Sequence, residues 1–242
     1  METLKILYED NHIIVVDKPA GILTQGDYSG DESLLEMIKE YIRIKYNKPG
    51  EAFTGLVHRL DKPVSGLLVF ARTSKAAARL QKEFTSGRIK KFYLAVLENN
   101  GPQKDGWNRV ENFLVRERDI TRITRNSSPG SEKGILYYHH LASDGRYSLV
   151  LIRLETGKKH QIRAQMAGMG KPVVGDKKYG AKSDTGISIL LHSTYLSFNH
   201  PTKDEIMKFY SPPPALFDER IKFDSDKMAH RVRELAENFP SG

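Results

Sequence analysis

Between Gly55 and Phe70 the chain reads GLVHRLDKPVSGLLVF. An apolar run opens this stretch, and GLLVFA over residues 66–71 closes it as a buried strand. The fold must shelter both runs while holding His58, Arg59, Asp61, Lys62 and Pro63 in the connection between them. A solvent-exposed turn needs polar residues, but not this many different chemistries. Gly55 and Gly66 bracket the connection, Pro63 fixes its own φ, and Lys62 before it is pushed towards an extended conformation. Ser65 is expected to bond a nearby backbone group and hold the turn. Such a loop can present one side chain rigidly. An inward-facing aspartate needs a cation or hydrogen-bond donors to stay ionised. From the residues alone, Asp61 is either a catalytic carboxylate or a loop aspartate bonded to Arg59 or to its own backbone.

Strand and helix patterns are interspersed along the rest of the chain. ILYEDNHIIVVDKPAG places two β-branched runs around Asp10-Asn11, which predicts a hairpin. DKPAG reads as a turn beneath an edge strand, with Lys18 available to a phosphate. SLLEMIKEYIRIKY carries Leu34, Ile38, Tyr41 and Ile42 at helical spacing, opens with a Ser33/Glu36 capping box and ends at NKPG. TSKAAARLQKEF predicts a second helix, stopped near Ser86-Gly87, and HQIRAQMAGMG a third. KKFYLAVLEN, ILYYHHLA, YSLVLIRLE and SILLHSTYLSF are strand candidates. No regular βαβ alternation links them. The expected class is therefore α+β, built on a mixed, largely antiparallel sheet.

At 242 residues the chain can bury a substantial core, and a single domain over 1–242 is expected. Residues 99–134 are the weakest stretch, rich in charges and turn dipeptides. They read as a peripheral lobe of short strands or as an insertion facing RNA, with Arg109, Arg116, Arg118, Arg122 and Arg125 suited to phosphate. A formal charge of +8 and a pI near 9.4 suit a polyanionic partner. Without cysteine there is neither a disulfide scaffold nor a thiolate metal site, which fits a reducing compartment. No stretch approaches the roughly 20 apolar residues of a membrane helix, and the N-terminus lacks the apolar core of a secretory signal. A cytoplasmic protein without membrane contact is expected.

Two further clusters carry chemistry. TGKKHQIRAQ, residues 156–165, follows a strand and gathers Lys158, Lys159, His160 and Arg163. If the segment is helical, Lys159 and Arg163 share a face, and the guanidinium fork suits a carboxylate or phosphate. In KKFYLAVL, strand alternation puts Tyr93 with Lys91 and Ala95, opposite Phe92, as a stacking surface or an ordinary half-buried tyrosine. Metal chemistry finds no support, because His139 and His140 are adjacent and no HxxxH or acidic triad joins them. GMGKPVVGDKKYG lacks the GKS/T of a phosphate loop.

Taken together, IIVVDKPAGILT, GLVHRLDKPVSGLLVFART, KKFYLAVLEN, TGKKHQIRAQM and LLHSTYLSFNHP, in this order, resemble the motifs of RluA-type pseudouridine synthases. The resemblance runs over nearly the whole chain. It implies an α+β catalytic fold whose sheet is flanked by helices and bisected by an RNA-binding cleft. It also implies isomerisation of a uridine in rRNA or tRNA without a cofactor, by a monomer. Asp61 matches the catalytic aspartate, Arg163 the arginine paired with it, and Tyr93 the tyrosine that stacks on the base. Arg59 matches an arginine that fills the space left by a flipped nucleotide. Leu191 would line the uracil pocket, and His58, Lys158, Lys159 and His160 would contact substrate. Two motifs depart from the usual pattern. Pro63-Val64 stand where HRLDKDTSG has a charged residue and threonine, and GKKHQIR stands in place of GRTHQIR. No S4 RNA-binding module is recognisable. A non-catalytic RNA-binding module and a nucleoside-bond hydrolase are the rival readings.

Overall fold

The computed structural model describes residues 4–28, 30–47, 49–98, 104–124 and 126–240. The Asp10-Asn11 turn joins β1 (Lys5–Glu9) to β2 (Ile13–Lys18) as an antiparallel hairpin. Asp10 holds that turn by accepting from the His12 and Ile13 amides. Helix α1 (Leu34–Lys45) starts at the expected capping box, with Ser33 and Glu36 each satisfying the other's backbone amide. Asn47, left-handed at φ 46°, lies just past its end. Then follow β3 (Gly55–Leu56), β4 (Ser65–Ala71), α2 (Ser74–Thr85) and β5 (Lys90–Glu98). The second half contains β6 (Trp107–Glu117), β7 (Ile120–Thr124), β8 (Ser131–Ser143), β9 (Tyr147–Leu154) and α3 (Gln161–Gly168). It closes with β10 (Leu191–Asn199), β11 (Ile206–Tyr210), α4 (Leu216–Arg220) and α5 (Ser225–Glu237).

The described strands form one eleven-stranded sheet in the order β1-β2-β4-β10-β5-β9-β8-β6-β7, with β3 on β4 and β11 on β10. Every pairing among them is antiparallel except β4 with β10. That exception positions the site: parallel pairing brings the starts of β4 and β10 to the same end, so the loop before Ser65 lies beside Leu191. Their registered residues are Ser65 with His192 and Gly66 with Ser193. Gly66 has φ +114°, and a Cβ there would collide with the Ser193 backbone, so glycine is required.

Strand alternation sorts the core onto the two faces. Ile14, Val16, Leu68, Tyr93, Ala95 and Leu191 pack with α1 and α3. Phe92, Leu94 and Val96 pack with α5, and Ile13, Val15, Leu67 and Val69 with α2. Helices therefore cover both faces of the sheet.

Four expectations need correction. DKPAG does not underlie an edge strand, because β1 covers β2. Lys18 is wholly buried and donates to the carbonyls of Pro19, Ile22 and Lys62, so it is not available to a phosphate. Residues 107–124 are not all short strands; β6 spans eleven residues and extends the sheet through its register with β8. Arg109 and Arg122 are ion-paired with Glu111 and Glu117, while Arg125 and residues 99–103 lie outside the described residues. Helix α3 begins only at Gln161, because His160 is left-handed at φ 53°. Lys158 and Lys159 thus precede the helix, and Lys159 does not share a helical face with Arg163.

Candidate active site

The loop between β3 and β4 is anchored from three directions. Thr24 Oγ1 donates to the Leu60 carbonyl at 2.7 Å and accepts from the Leu60 amide at 3.2 Å. The Gly21 amide and the Lys18 ammonium both donate to the Lys62 carbonyl, at 2.8 and 3.2 Å. The Ile189 amide donates to the Pro63 carbonyl, and the Val64 amide closes the turn on the Asp61 carbonyl. Ser65 does not hold the turn through backbone as expected. Its hydroxyl pairs with His192 Nδ1 at 2.8 Å and ties β4 to β10. Burial pulls the Lys18 ammonium down to about 7, opposed by the charge of Asp61. Lys62 itself points to Asp31, at 2.7 Å.

So held, Asp61 enters a cleft of about 410 Å³. Arg163 Nη1 donates to its Oδ2 at 2.9 Å. The other edge of the same guanidinium grips the buried Asp176, Nε to Oδ2 at 2.7 Å and Nη2 to Oδ1 at 2.9 Å. Burial works against the charge on Arg163, but Asp176 and then Asp61 more than offset it, and its pKa is raised. This is the fork geometry that lysine cannot supply. Asp176 belongs to the GMGKPVVGDKKYG run, whose glycines suggest a phosphate loop and whose sequence then fails that motif. A buried arginine facing one carboxylate calls for further compensation, but nothing in the spacing identifies which acid supplies it.

His160 Nε2 lies 3.4 Å from Asp61 Oδ2, while its Nδ1 meets the Tyr179 hydroxyl at 2.9 Å. Tyr179 also accepts from the Thr121 amide, so β7 reaches the site through this ring. Burial pulls His160 down to about 4; Asp61 opposes this, and Arg163, Lys159 and Lys178 add to it. No described residue hydrogen-bonds Asp61 Oδ1, which leaves one carboxylate oxygen for the cleft.

All nine residues singled out from the sequence line this one cleft. Tyr93 is buried in the wall, opposite Ser193 in the register of β5 with β10. Burial and the nearby Asp61 charge push its phenol up, so it is neutral at ordinary pH. Leu191 joins both the core and the cleft. Arg59 is exposed at the mouth and has no partner among the described residues. Lys158 pairs with Glu132 at 2.5 Å. His58 is more structural than expected: its Nε2 accepts from the Val69 amide at 3.1 Å, and its ring stacks on Phe84 at 4.5 Å. Burial, then the charge of Lys91, holds it well below an ordinary histidine.

The sequence matches the RNA pseudouridylate synthase family over residues 12–168. It is 36% identical over 215 residues to an uncharacterized RNA pseudouridine synthase, YhcT, of Bacillus subtilis, spanning 88% of this chain and 69% of that protein. It is 31% identical to the tRNA pseudouridine synthase C of Yersinia pestis, spanning 84% of each. The solved structure of human RNA pseudouridylate synthase domain containing 4 superposes with a TM-score of 0.75 at 22% identity, covering 95% of this chain and 93% of that one, and so shares the fold. With the family match covering well over half of its length, the chain belongs to the RNA pseudouridylate synthases, the isomerases that convert uridine in RNA to pseudouridine.

Proposed function

We propose that this enzyme isomerises a uridine of rRNA or tRNA with Asp61 as nucleophile. The observation that carries this reading is the Asp61 carboxylate held through Oδ2 by Arg163 while Oδ1 has no donor among the described residues. Oδ1 adds to the bound nucleotide, at ribose C1′ or pyrimidine C6. On either route the N1–C1′ bond breaks and a C5–C1′ bond forms. A proton leaves C5, one is gained at N1, and the carboxylate is returned. Arg163 holds Asp61 aimed at the nucleotide. Tyr93 stacks on the detached base and Leu191 flanks it. A paired target uridine must first leave its helix at a cost of a few kcal/mol, and Arg59 fills the space it vacates. Lys158, Lys159 and His160 face the RNA strand from the segment before α3. All nine residues lie on this one chain, so the proposed chemistry needs no side chain from a second copy, and a monomer is part of the proposal.

The test is pseudouridine mapping of total RNA from wild-type cells, deletion cells, and deletion cells expressing the wild-type or Asp61→Asn protein. The expected result is a site lost on deletion, restored by wild type and not by Asp61→Asn. RNA affinity of the mutant should change by less than about tenfold. Restoration by Asp61→Asn removes Asp61 as nucleophile. Release of free uracil indicates a hydrolase instead.

A further inference from the structure

The geometry points to a phosphate-binding subsite in the cleft built on Lys91. Resting on the RNA-modification reading above, we propose that Lys91 binds the phosphodiester next to the uridine whose base lies on Tyr93. Lys91 is half-buried in the cleft wall, with its ammonium 5.2 Å from the centre of the Phe84 ring. Its Nζ lies beside Gly157 in the segment before α3, 3.5 Å from where a Cβ would stand there. Among the other cleft cations, Arg163 has Asp61 and Asp176 and Lys158 has Glu132, whereas Arg59, exposed at the mouth, and Lys159 make no ion pair with a described residue. Lys91 makes no ion pair or hydrogen bond with any described residue, and Glu155, although it also lines the cleft, makes no ion pair with it. Burial alone pulls its ammonium down to about 8, which leaves it mostly charged at neutral pH.

A charge removed from water without a partner is a cost to the fold. An anion that enters with the substrate turns that cost into affinity. Strand geometry identifies the anion. Lys91 and Tyr93 are two apart on one face of β5, roughly 6–7 Å along the strand. A phosphate attached to the nucleotide stacked on Tyr93 is within reach of the Lys91 ammonium.

The experiment uses the full chain and a pentaribonucleotide with one central uridine, in versions where each phosphodiester in turn is a neutral methylphosphonate. Dissociation constants are measured across salt concentrations for wild type, Lys91→Met, Lys91→Arg and the exposed control Lys75→Ala. In wild type, one methylphosphonate next to the uridine should weaken binding most. Lys91→Met should bind the all-phosphate RNA about as weakly as wild type binds that analogue, with no further loss when the two changes are combined. Its plot of log K against log salt should be flatter by about 0.7, the value for one lost single-strand contact. Lys91→Arg should restore the slope, and Lys75→Ala should not change it. The Tm of Lys91→Met should equal or exceed that of wild type, because an unpaired buried charge has been removed. Unchanged affinity and slope in Lys91→Met overturn the subsite. So does a loss that adds in full to every methylphosphonate, or no wild-type binding up to millimolar RNA. Binding is read without turnover. If deletion cells lose no pseudouridine while the Lys91 coupling holds, the functional reading fails and the subsite stands.

Discussion

At the scale of single residues, the site depends on charges whose partners are specified on every side. Arg163 commits two of its donors to Asp176 and one to Asp61, so lysine cannot replace it. Lys18 plays an equivalent part on the loop, gathering three carbonyls of which one belongs to Lys62, beside Asp61. Lys18→Met is expected to lose about 1–3 kcal/mol of stability, the cost of stranding buried acceptors. It should also slow turnover more than it weakens RNA binding, because the loop that carries Asp61 loosens. Chemical denaturation and single-turnover rates measured in parallel check this. Wild-type stability together with wild-type rate would mean that the loop is held without Lys18.

Elements matter chiefly through the parallel pair of β4 with β10. The contact at Gly66 and Ser193 brings the Asp61 loop and Leu191 to one end of the sheet. Gly66→Ala places a methyl against Ser193 backbone at a φ that disfavours any side chain, so both packing and torsion oppose it. A loss of at least about 3 kcal/mol is expected, with activity falling as the two strand starts separate. Thermal unfolding of the purified variant measures it, and an unchanged Tm would show that β10 can yield. The β6–β7 hairpin acts differently. Its Thr121 amide and hydroxyl contact Tyr179 and the Lys159 carbonyl, so a strand at the edge of the sheet supports the segment bearing His160.

Across the whole molecule, pH acts through histidines buried in neutral form. Burial holds His58 well below its ordinary value and brings His160 and His192 to about 4. In the unfolded chain these groups return to about 6.5. Between those values the unfolded state binds more protons, and stability rises with pH wherever that is so. Stability should therefore fall as pH drops from about 6.5 towards 4. Lys18 and Lys91, depressed to about 7 and about 8, have the same sign at higher pH and favour the folded state as pH rises towards their ordinary range. A Tm series from about pH 8 to 4.5 should decline at the acid end by about 5 °C or more. A flat acid limb would mean that these histidines are solvated in solution.

Much of this protein is legible in its sequence. The β-branched run of β2, the alternation along β5, the Ser33 capping box and the apolar run of β4 are local signals, and they read correctly because each depends on neighbours a few residues away. The polar loop, the tyrosine strand and the HQIR segment are legible as chemistry for the same reason. What stays hidden is pairing across long separations. Asp61 meets Arg163 and Ser65 meets His192 across more than a hundred positions, and no spacing rule reaches that far. Lys18 reads as a surface cation because the Lys62 carbonyl it meets lies 44 positions away in the Asp61 loop, which only the assembled sheet brings to it. Asp176 and Tyr179 have no role legible in the sequence until the fold sets Arg163 of α3, and His160 just before it, against them. Sequence by itself determined which side chains could do the chemistry. The tertiary structure decided which of them are paired, which are buried, and which, like Asp61 Oδ1 and Lys91 Nζ, have no hydrogen-bond or ion-pair partner among the described residues, because pairing and desolvation are set by what lies nearby in space.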